Sequence, residues 1–180
     1  MGSPESFESH AAPDRRTEQG RLALIQTLNA RLPLKRNIGQ GLLRNPTGDI
    51  LLCQLAYKRE WDLPGGVVDP RESPATCVER EIMEELGIEV HCGELLAVDW
   101  LPPYRGWDDA VLFLFDLGSV GSDIVDSMTL LEREIRAVHW VAPDDVADHV
   151  APYSAALVAE VVRKGGGTAY LENSAPRGRN

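Results

Sequence analysis

A glycine-rich turn that runs directly into a glutamate-rich helix, within residues 61–90, constrains the fold more than any other part of this chain. The stretch reads WDLPGGVVDPRESPATCVEREIMEELGIEV. Ser73 is a suitable N-cap and Pro74 suits a first helical turn, so the sequence predicts a helix over residues 75–86. At about 100° per residue, the apolar side chains share one face, formed by Ala75, Val78, Ile82 and Leu86. That face needs an apolar partner such as a β-sheet.

A second face of the predicted helix carries Glu81, Glu84 and Glu85 within about a third of the circumference. On an exposed helix, like charges at this spacing repel by roughly a few tenths of a kcal/mol, and a divalent cation would turn repulsion into attraction. Arg80 flanks this acidic face, where it is able to pair with Glu72 or Glu84. The alternative is an ordinary solvated helix face, which is the common meaning of a lone pair of glutamates.

The spacing of the whole stretch decides between these alternatives. Residues 66–88 satisfy Gly-x5-Glu-x7-Arg-Glu-U-x-Glu-Glu-x-Gly-U, with U a bulky aliphatic residue, at all nine specified positions. This pattern resembles the Nudix box, and the preceding Trp-x-Leu-Pro-Gly resembles the usual lead-in of that family. The resemblance implies an α/β (α+β) fold, namely an α/β/α sandwich around a mixed β-sheet. It also implies hydrolysis of a nucleoside diphosphate linked to another group X.

The resemblance carries over to individual residues of this chain. It implies that the metal ions, Mg²⁺ or Mn²⁺, are bound by Glu81, Glu84 and Glu85. It also implies that a glutamate–arginine pair, Glu72 and Arg80, supports these ligands. The carbonyl oxygen of Gly65 or Gly66 is a further candidate ligand. Water would attack a phosphorus atom of the diphosphate bridge, with the metal ions neutralising charge and stabilising the leaving phosphate.

The general base of this reaction is open at the level of sequence. It is either a box glutamate or an acid from a later loop, so Glu132 and Glu134 are candidates, with plain surface charge as the alternative. Asp108 and Asp109 are further candidates for the same role.

The substrate group X is also open. Tyr104 and Trp107 lie in a Pro-rich loop, where they are candidates for stacking on a nucleobase or for closing over the core. Lys58 and Arg59 are candidates for phosphate contacts, with solvated charge at a hairpin end as the alternative. The expected substrate is a small-molecule nucleotide, such as a nucleoside triphosphate or ADP-ribose. A non-catalytic nucleotide-sensing module is the competing function, but such degenerate members are expected to lose box glutamates, and all are present here.

The rest of the chain predicts a single domain with tails. Residues 1–20 are predicted to be disordered, 21–172 to form the domain with a helix over 21–32, and 173–180 to form a loose tail. The N-terminal helix is predicted either to dock on the core or to contact a second copy, which leaves a homodimer open. Strands are predicted in a hairpin over residues 34–57, then over 89–100 with a break at a glycine, 110–117 and 135–141, followed by a final helical region. Gly39 and Gly41 in the first strand indicate close approach of a neighbour or a ligand.

Composition excludes several classes of protein. The net charge of −10 argues against nucleic acid as a partner. The sequence shows no membrane or signal segment. Cys53, Cys77 and Cys92 form no metal or disulfide pattern, so they are predicted to be reduced core residues of a soluble, cytoplasmic protein. The histidines His91, His139 and His149 show no ligand spacing, and they are predicted to be structural or superficial.

Overall fold

The structure, a computed structural model, describes residues 16–178. The chain divides into two compact units, the first ending at Leu34 and the second beginning at Lys35. This boundary separates the N-terminal helix from the sheet-forming unit, whereas the sequence placed both in one domain over residues 21–172. Most of the segment that was predicted to be disordered, residues 1–15, lies outside the described residues.

The first unit contains helix α1, which spans Glu18–Asn29. The Thr17 hydroxyl accepts a hydrogen bond from the Gly20 amide at 3.0 Å and so caps the helix. Because of this cap, the helix begins within the segment predicted to be disordered and before the predicted start at Arg21. Its larger exposed apolar side chains are Leu22, Ile25 and Leu28. The homodimer through this helix stays a prediction.

The second unit is built on a mixed sheet, which among the described residues has eight strands. In chain order they are β1 (Arg36–Arg44), β2 (Ile50–Leu55), β3 (Gly65–Val67), β4 (Leu95–Leu101), β5 (Ala110–Ser119), β6 (Ile135–Val141), β7 (Ala169–Glu172) and β8 (Ala175–Pro176). Their order in the sheet is β6-β2-β1-β5-β4-β7-β8, with β3 paired to β1 off this path. β1 and β5 run parallel, as do β4 and β7, and the other pairs are antiparallel.

Two helices cover opposite faces of this sheet. Helix α2 (Pro74–Leu86) packs Val78 and Ile82 into one apolar cluster with residues of β1 and β2. Helix α3 (Pro152–Lys164) packs Leu157 and Val158 into a second cluster on the other face. The predicted α/β/α sandwich around a mixed sheet is therefore confirmed.

The glycines of β1 bring α2 close to the sheet. A Cβ atom on Gly39 would lie 2.8 Å from the Pro74 carbonyl oxygen and 3.0 Å from the Val78 side chain, so no larger residue fits there without movement. A Cβ atom on Gly41 would collide with Leu117. Of the two predicted explanations for these glycines, packing against a neighbour is the one that the structure bears out.

Local turns account for several differences from the predicted elements. Residues 89–94 form no strand, and β4 starts only at Leu95. The final helical region is divided into a 3-10 helix, Pro143–Asp148, and α3, which ends where Gly165 adopts a left-handed conformation with φ 67°. A further 3-10 helix, Ser122–Ser127, lies in the predicted connection before β6.

The C-terminal segment is not a loose tail over its described part. β8 pairs antiparallel with β7, and the intervening Ser174 is only 4% exposed because it is bonded to the buried Asp99. This prediction was wrong because tertiary contact with β4, which no local pattern reveals, orders the segment.

Two predictions from composition, on the cysteines and on membrane-spanning helices, concern residues that the structure describes. The thiols are free; Cys53 and Cys77 are buried, and the half-buried Cys92 packs against the α2 cluster. Within the described part of the chain, every helix is too short or too polar to span a bilayer.

Candidate active site

Helix α2 carries the acidic residues predicted to form the site. It begins at Pro74, where the Ser73 hydroxyl accepts a hydrogen bond from the Thr76 amide at 3.2 Å, and it ends at Gly87 with φ 68°. Its buried positions are Cys77, Val78, Ile82, Glu85 and Leu86. The spacing of residues along the predicted helix placed Glu85 next to the apolar face. In the structure, packing on the sheet leaves Glu85 only 7% exposed.

The burial of Glu85 has an electrostatic consequence. Burial raises the pKa of this carboxyl to about 8, and the negative charge of Glu81 adds to the shift, as do those of Glu134 and Asp62. A hydrogen bond from the Gly65 amide opposes the shift. Burial also raises the pKa of Glu81. A cation between these carboxylates would therefore be strongly favoured.

Arg80 organises the other acids of the box. Its guanidinium donates to Glu72 from Nε at 2.8 Å and from Nη2 at 3.0 Å. Its Nη1 donates to Glu81 at 2.9 Å and to Glu84 at 3.3 Å. The predicted pairing with Glu72 or Glu84 thus takes place with both, and the bonds from Arg80 lower the pKa of Glu72 to about 2.

The glycine turn ahead of α2 has no space for side chains. A Cβ atom on Gly66 would lie 2.6 Å from the Glu81 carboxyl group. Gly65 has φ 133°, and a Cβ atom there would lie 2.9 Å from the Gln40 Cα. Both glycines are therefore required by close approach, Gly66 by the acidic cluster itself.

The orientation of the turn distinguishes the two candidate carbonyl ligands. Strand β3 pairs Gly39 with Gly66 and Gln40 with Gly65. In an antiparallel ladder, hydrogen-bonded and non-bonded residue pairs alternate. The residue pairs two positions before and two positions after Gly39–Gly66 are hydrogen-bonded, so Gly39–Gly66 is a hydrogen-bonded pair as well. The Gly66 carbonyl also accepts from the Cys77 thiol at 3.7 Å. Gly65 therefore turns its amide and carbonyl away from β1, which favours its carbonyl as the ligand.

The donor set suits a hard divalent cation, because carboxylate and carbonyl oxygens are the ligands that Mg²⁺ and Mn²⁺ prefer. Within residues 16–178, no three His, Cys, Asp or Glu side chains converge into a ready-made metal-binding group. The reason lies in the bonds described above, since Arg80 holds Glu81 and Glu84 while Gly65 holds Glu85. Binding of a cation would draw these carboxylates together and lower the pKa of Glu85.

The structure separates the candidates for the general base. Glu134 lies near enough to the box that its charge raises the pKa of both Glu81 and Glu85. The turn that carries it is tied to α2, because the Leu131 amide donates to the Glu85 carbonyl at 2.9 Å. Glu132, in the same turn, is exposed and is not among the main contributors to either shift.

The aspartates predicted as further candidates are engaged elsewhere. The Asp108 carbonyl accepts a hydrogen bond from Arg36 at 3.2 Å. The Asp109 carboxylate pairs with Lys35 and accepts from the Trp100 indole at 3.1 Å. The structure does not bring either carboxylate into the glutamate cluster.

Lys58 and Arg59 have different surroundings. Lys58 forms an ion pair with Asp62 at 2.8 Å, and Asp62 also accepts a hydrogen bond from Gln40 at 2.9 Å. Arg59 is exposed, and no residue in the described part of the chain pairs with it. Sequence reasoning missed Asp62 because its place in the lead-in, between Trp61 and Leu63, is an unspecified position of the pattern.

Two of the three histidines considered from the sequence, His139 and His149, pack on the lead-in residue Trp61. The Trp61 ring stacks between His139 and His149, with 4.2 Å between ring centroids on each side and interplanar angles of 12°. His91 has an exposed side chain beside Glu79. These positions agree with the predicted structural or superficial roles.

A cavity of about 370 Å³ lies on the α3 side of the sheet. It is lined by Arg36, Ile38, Leu101, Pro102, Tyr104, Trp107, Pro152, Tyr153, Ala156 and Asn173. Tyr104 and Trp107 exchange backbone hydrogen bonds of 3.0 and 2.9 Å, which closes their loop into a small hairpin. The Arg36 guanidinium lies 4.7 Å from the Trp107 ring centroid. Sequence reasoning found both aromatic residues but missed Asn173, which it placed in a loose tail.

Comparison with known proteins identifies the family. The model of the NUDIX domain matches residues 35–161. The chain is 33% identical over 111 residues to a MutT-like protein of Streptomyces ambofaciens, covering 62% of this chain and 66% of that protein. It is 33% identical over 66 residues to an RNA pyrophosphohydrolase of Pseudomonas savastanoi pv. phaseolicola, covering 37% and 38%. The chain thus spans less than two thirds of the length of these curated relatives.

A solved structure supports the same assignment. The MutT protein of Methanosarcina mazei Go1 superposes with a TM-score of 0.63 at 26% identity, covering 76% of this chain and all of the other. Nudix hydrolases generally use divalent metal cations, in agreement with the oxygen donors collected here. Because the domain match covers well over half of the chain and contains the complete box, the chain belongs to the Nudix hydrolase family.

Proposed function

We propose that the chain is a Mg²⁺- or Mn²⁺-dependent pyrophosphohydrolase that cleaves the diphosphate bridge of a nucleoside diphosphate linked to another group. The observation that carries this proposal is the buried Glu85 carboxylate, which faces the Gly65 amide and lies beside Glu81. A buried carboxylate that has no cationic partner of its own is unfavourable in a purely structural site. In a metal-dependent hydrolase the same arrangement is a site that a metal cation would occupy.

Glu81, Glu84 and Glu85 would hold the metal ions, together with the carbonyl oxygen of Gly65. When bound, such ions neutralise the charge of the diphosphate bridge and lower the pKa of a coordinated water molecule. The arginine of the box keeps the carboxylates in place between turnovers, because Arg80 bonds both Glu81 and Glu84.

Glu134 is the proposed general base. Its carboxylate would accept a proton from the attacking water as the new bond to phosphorus forms and the bond to the leaving phosphate breaks. Its electrostatic influence on two box glutamates supports this role, whereas the exposed Glu132 is not among the main contributors to either shift. Arg59 is exposed and unpaired within residues 16–178, which suits a contact to a substrate phosphate.

The cavity on the α3 side is the proposed site for the nucleoside. Tyr104 and Trp107 would stack on the base, since an aromatic face binds any nucleobase at about 1–3 kcal/mol per base. Its volume, about 370 Å³, is near the lower end for ligand pockets and suits one nucleoside rather than two. Nucleoside triphosphates and nucleoside diphosphates with a small group X, such as ADP-ribose, are the substrate class that fits. The free thiols support a reducing, cytoplasmic location.

The test is a panel of nucleoside triphosphates, ADP-ribose, NADH, sugar nucleotides and dinucleoside polyphosphates, incubated with Mg²⁺ and assayed for phosphate-containing products. We expect turnover of at least one compound and its loss, by about 100-fold or more, in Glu84→Gln and Glu85→Gln. Glu89→Gln is the matched control, because Glu89 is exposed and follows the box helix. Absence of turnover across the panel, with nucleotide binding retained, would instead indicate the non-catalytic sensing module.

A further inference from the structure

The turn between β7 and β8 is a two-residue hairpin turn, because Glu172 pairs with Ala175. Asn173 and Ser174 both have positive φ, 53° and 60°, as the favoured two-residue hairpin turn requires. Further bonds fix the position of this turn on the sheet. These bonds come from the buried Asp99 of β4, whose Oδ1 accepts from the Ser174 amide at 3.0 Å and whose Oδ2 accepts from the Ser174 hydroxyl at 2.7 Å.

Asp99 is fully buried, and a buried carboxylate is costly unless its oxygens are hydrogen-bonded. Both oxygens accept a bond from Ser174, which is itself only 4% exposed. A third bond, from the Asn173 amide to the Trp100 carbonyl at 2.7 Å, attaches the same turn to β4. The turn therefore has one fixed position against the sheet.

This fixed position places Asn173 in the wall of the cavity. The Asn173 side chain is exposed at the cavity, and among residues 16–178 no group forms a hydrogen bond with its amide. A primary amide offers two donors and one acceptor oxygen, so Asn173 brings unused hydrogen-bonding capacity to a wall formed largely by aromatic and aliphatic side chains. Asn173 lies outside the matched domain, which ends at residue 161.

The rest of the wall does little to distinguish one base from another. Stacking on Tyr104 or Trp107 tolerates any base, because every base has a π face. Arg36 is a donor only, the lining residues include no carboxylate, and the hydroxyls of Tyr104 and Tyr153 each offer a single rotatable group that is able to donate to or accept from any base. Asn173 is thus the side chain there that combines an amide donor with a carbonyl acceptor, which is the arrangement that matches the edge of a nucleobase.

We propose that Asn173 selects the nucleobase of the substrate and that Asp99 is a positioning residue, which acts through Ser174. The proposal rests on the proposed function for the location of the nucleoside. The ligand is a base with a donor and an acceptor side by side on one edge. Its donor bonds to the Asn173 carbonyl oxygen and its acceptor receives a bond from the amide nitrogen.

The experiment measures binding without hydrolysis. Dissociation constants of AMP, GMP, CMP, UMP and ribose 5-phosphate are determined by calorimetry in the presence of a chelator. For the wild-type protein we expect each nucleotide with a favoured base to bind more tightly than ribose 5-phosphate. The dissociation constants of the four nucleotides should differ, and the ratio of the largest to the smallest is called the spread. Asn173→Ala is expected to reduce that spread about tenfold, since a well-placed paired hydrogen bond contributes about 1–3 kcal/mol of discrimination. Its affinity for ribose 5-phosphate should be unchanged.

Two further variants test the positioning role. Ser174→Ala and Asp99→Asn keep the Asn173 side chain but weaken the bonds that fix the turn, the first by removing the hydroxyl donor and the second by removing the carboxylate charge. Both are therefore expected to reduce the spread. Ser174→Ala keeps the proposal testable should Asp99→Asn fail to fold. Glu172→Ala is the control, because Glu172 belongs to the same hairpin and does not line the cavity.

Three results would overturn the proposal. They are an unchanged spread in Asn173→Ala, an equal loss of affinity for ribose 5-phosphate and the nucleotides, and wild-type nucleotides that bind no more tightly than ribose 5-phosphate. Hydrolysis without base selection would contradict this proposal and leave the hydrolase function intact. Base selection without turnover would support it and contradict the hydrolase function.

Discussion

The Arg80 guanidinium binds the Glu72 carboxylate through two parallel hydrogen bonds, from Nε to Oε1 at 2.8 Å and from Nη2 to Oε2 at 3.0 Å. The third nitrogen, Nη1, remains available for Glu81 at 2.9 Å and Glu84 at 3.3 Å. Only a planar fork is able to hold one carboxylate on one side and direct two others on the opposite side. Glu72 therefore acts on the glutamates proposed to bind metal through the orientation of Arg80.

Replacement of Arg80 by lysine should separate orientation from charge. Arg80→Lys keeps the positive charge but loses the fork, so we expect kcat/KM to fall about 10- to 100-fold. Thermal stability should change little, because the side chain is partly exposed. Arg163→Lys is the matched control, since Arg163 forms a comparable fork with Glu160 on α3. Equal activity of Arg80→Lys and the parent protein would contradict the role of orientation.

Glu85 should make the metal-free protein less stable at alkaline pH. Its pKa is about 8 in the folded state and about 4.5 in the unfolded state, so the folded protein binds the extra proton between these values. The free energy of unfolding should thus decrease as pH rises from about 4.5 to 8. Glu85→Gln removes this decrease and should be more stable than the parent at pH 9, by on the order of a few kcal/mol.

Urea unfolding from pH 4 to pH 9 in the presence of a chelator checks this prediction. Addition of Mg²⁺ at pH 8 should stabilise the parent protein more than Glu85→Gln, because the cation binds the folded state through that carboxylate. Parallel pH profiles of the two proteins would show that burial does not shift the titration of Glu85.

Gly66→Ala should impair activity more than stability. The added Cβ would lie 2.6 Å from the Glu81 carboxyl, which is the far end of a flexible side chain and is free to move. We expect kcat/KM to fall about 100-fold because a proposed metal ligand is displaced, with a small change in Tm. Gly39→Ala is the contrasting variant, since its Cβ meets the Pro74 backbone carbonyl at 2.8 Å and should destabilise the fold by about 1–3 kcal/mol. The reverse order of Tm losses would contradict this distinction.

Glu134→Gln and Glu132→Gln should differ sharply in rate. If Glu134 accepts the proton from water, its amide variant should lose about 10²- to 10⁴-fold in kcat. Glu132→Gln, two residues earlier in the same turn, should resemble the parent protein. Comparable losses in both variants would assign the effect to the charge of the turn and not to one base.

The central part of the site was predictable from the sequence because the residues that define it lie close together along the chain. The capping Ser73, the helix and the three glutamates all follow from spacing within one short segment. The sequence could not distinguish Glu132 from Glu134 as the general base, because the two residues share one turn. Only the packing of that turn on α2 brings one of them near the box.

Residues that depend on distant contacts were missed for the same reason. Asp62 was hidden at an unspecified position, although it bonds Lys58 and Gln40. The segment around Asn173 resembled a polar tail, because its order comes from Asp99, which lies on another strand far away in the chain.

The amino-acid sequence by itself determined the family, the helix and the separation of its apolar and acidic faces, because these properties depend only on residue spacing along one segment. Tertiary structure decided that Glu85 is buried, that the Gly65 carbonyl and not that of Gly66 is turned away from β1, and that Asn173 lines the cavity. Burial, strand register and charge proximity arise from contacts between segments far apart in the chain, and a local pattern contains no record of them.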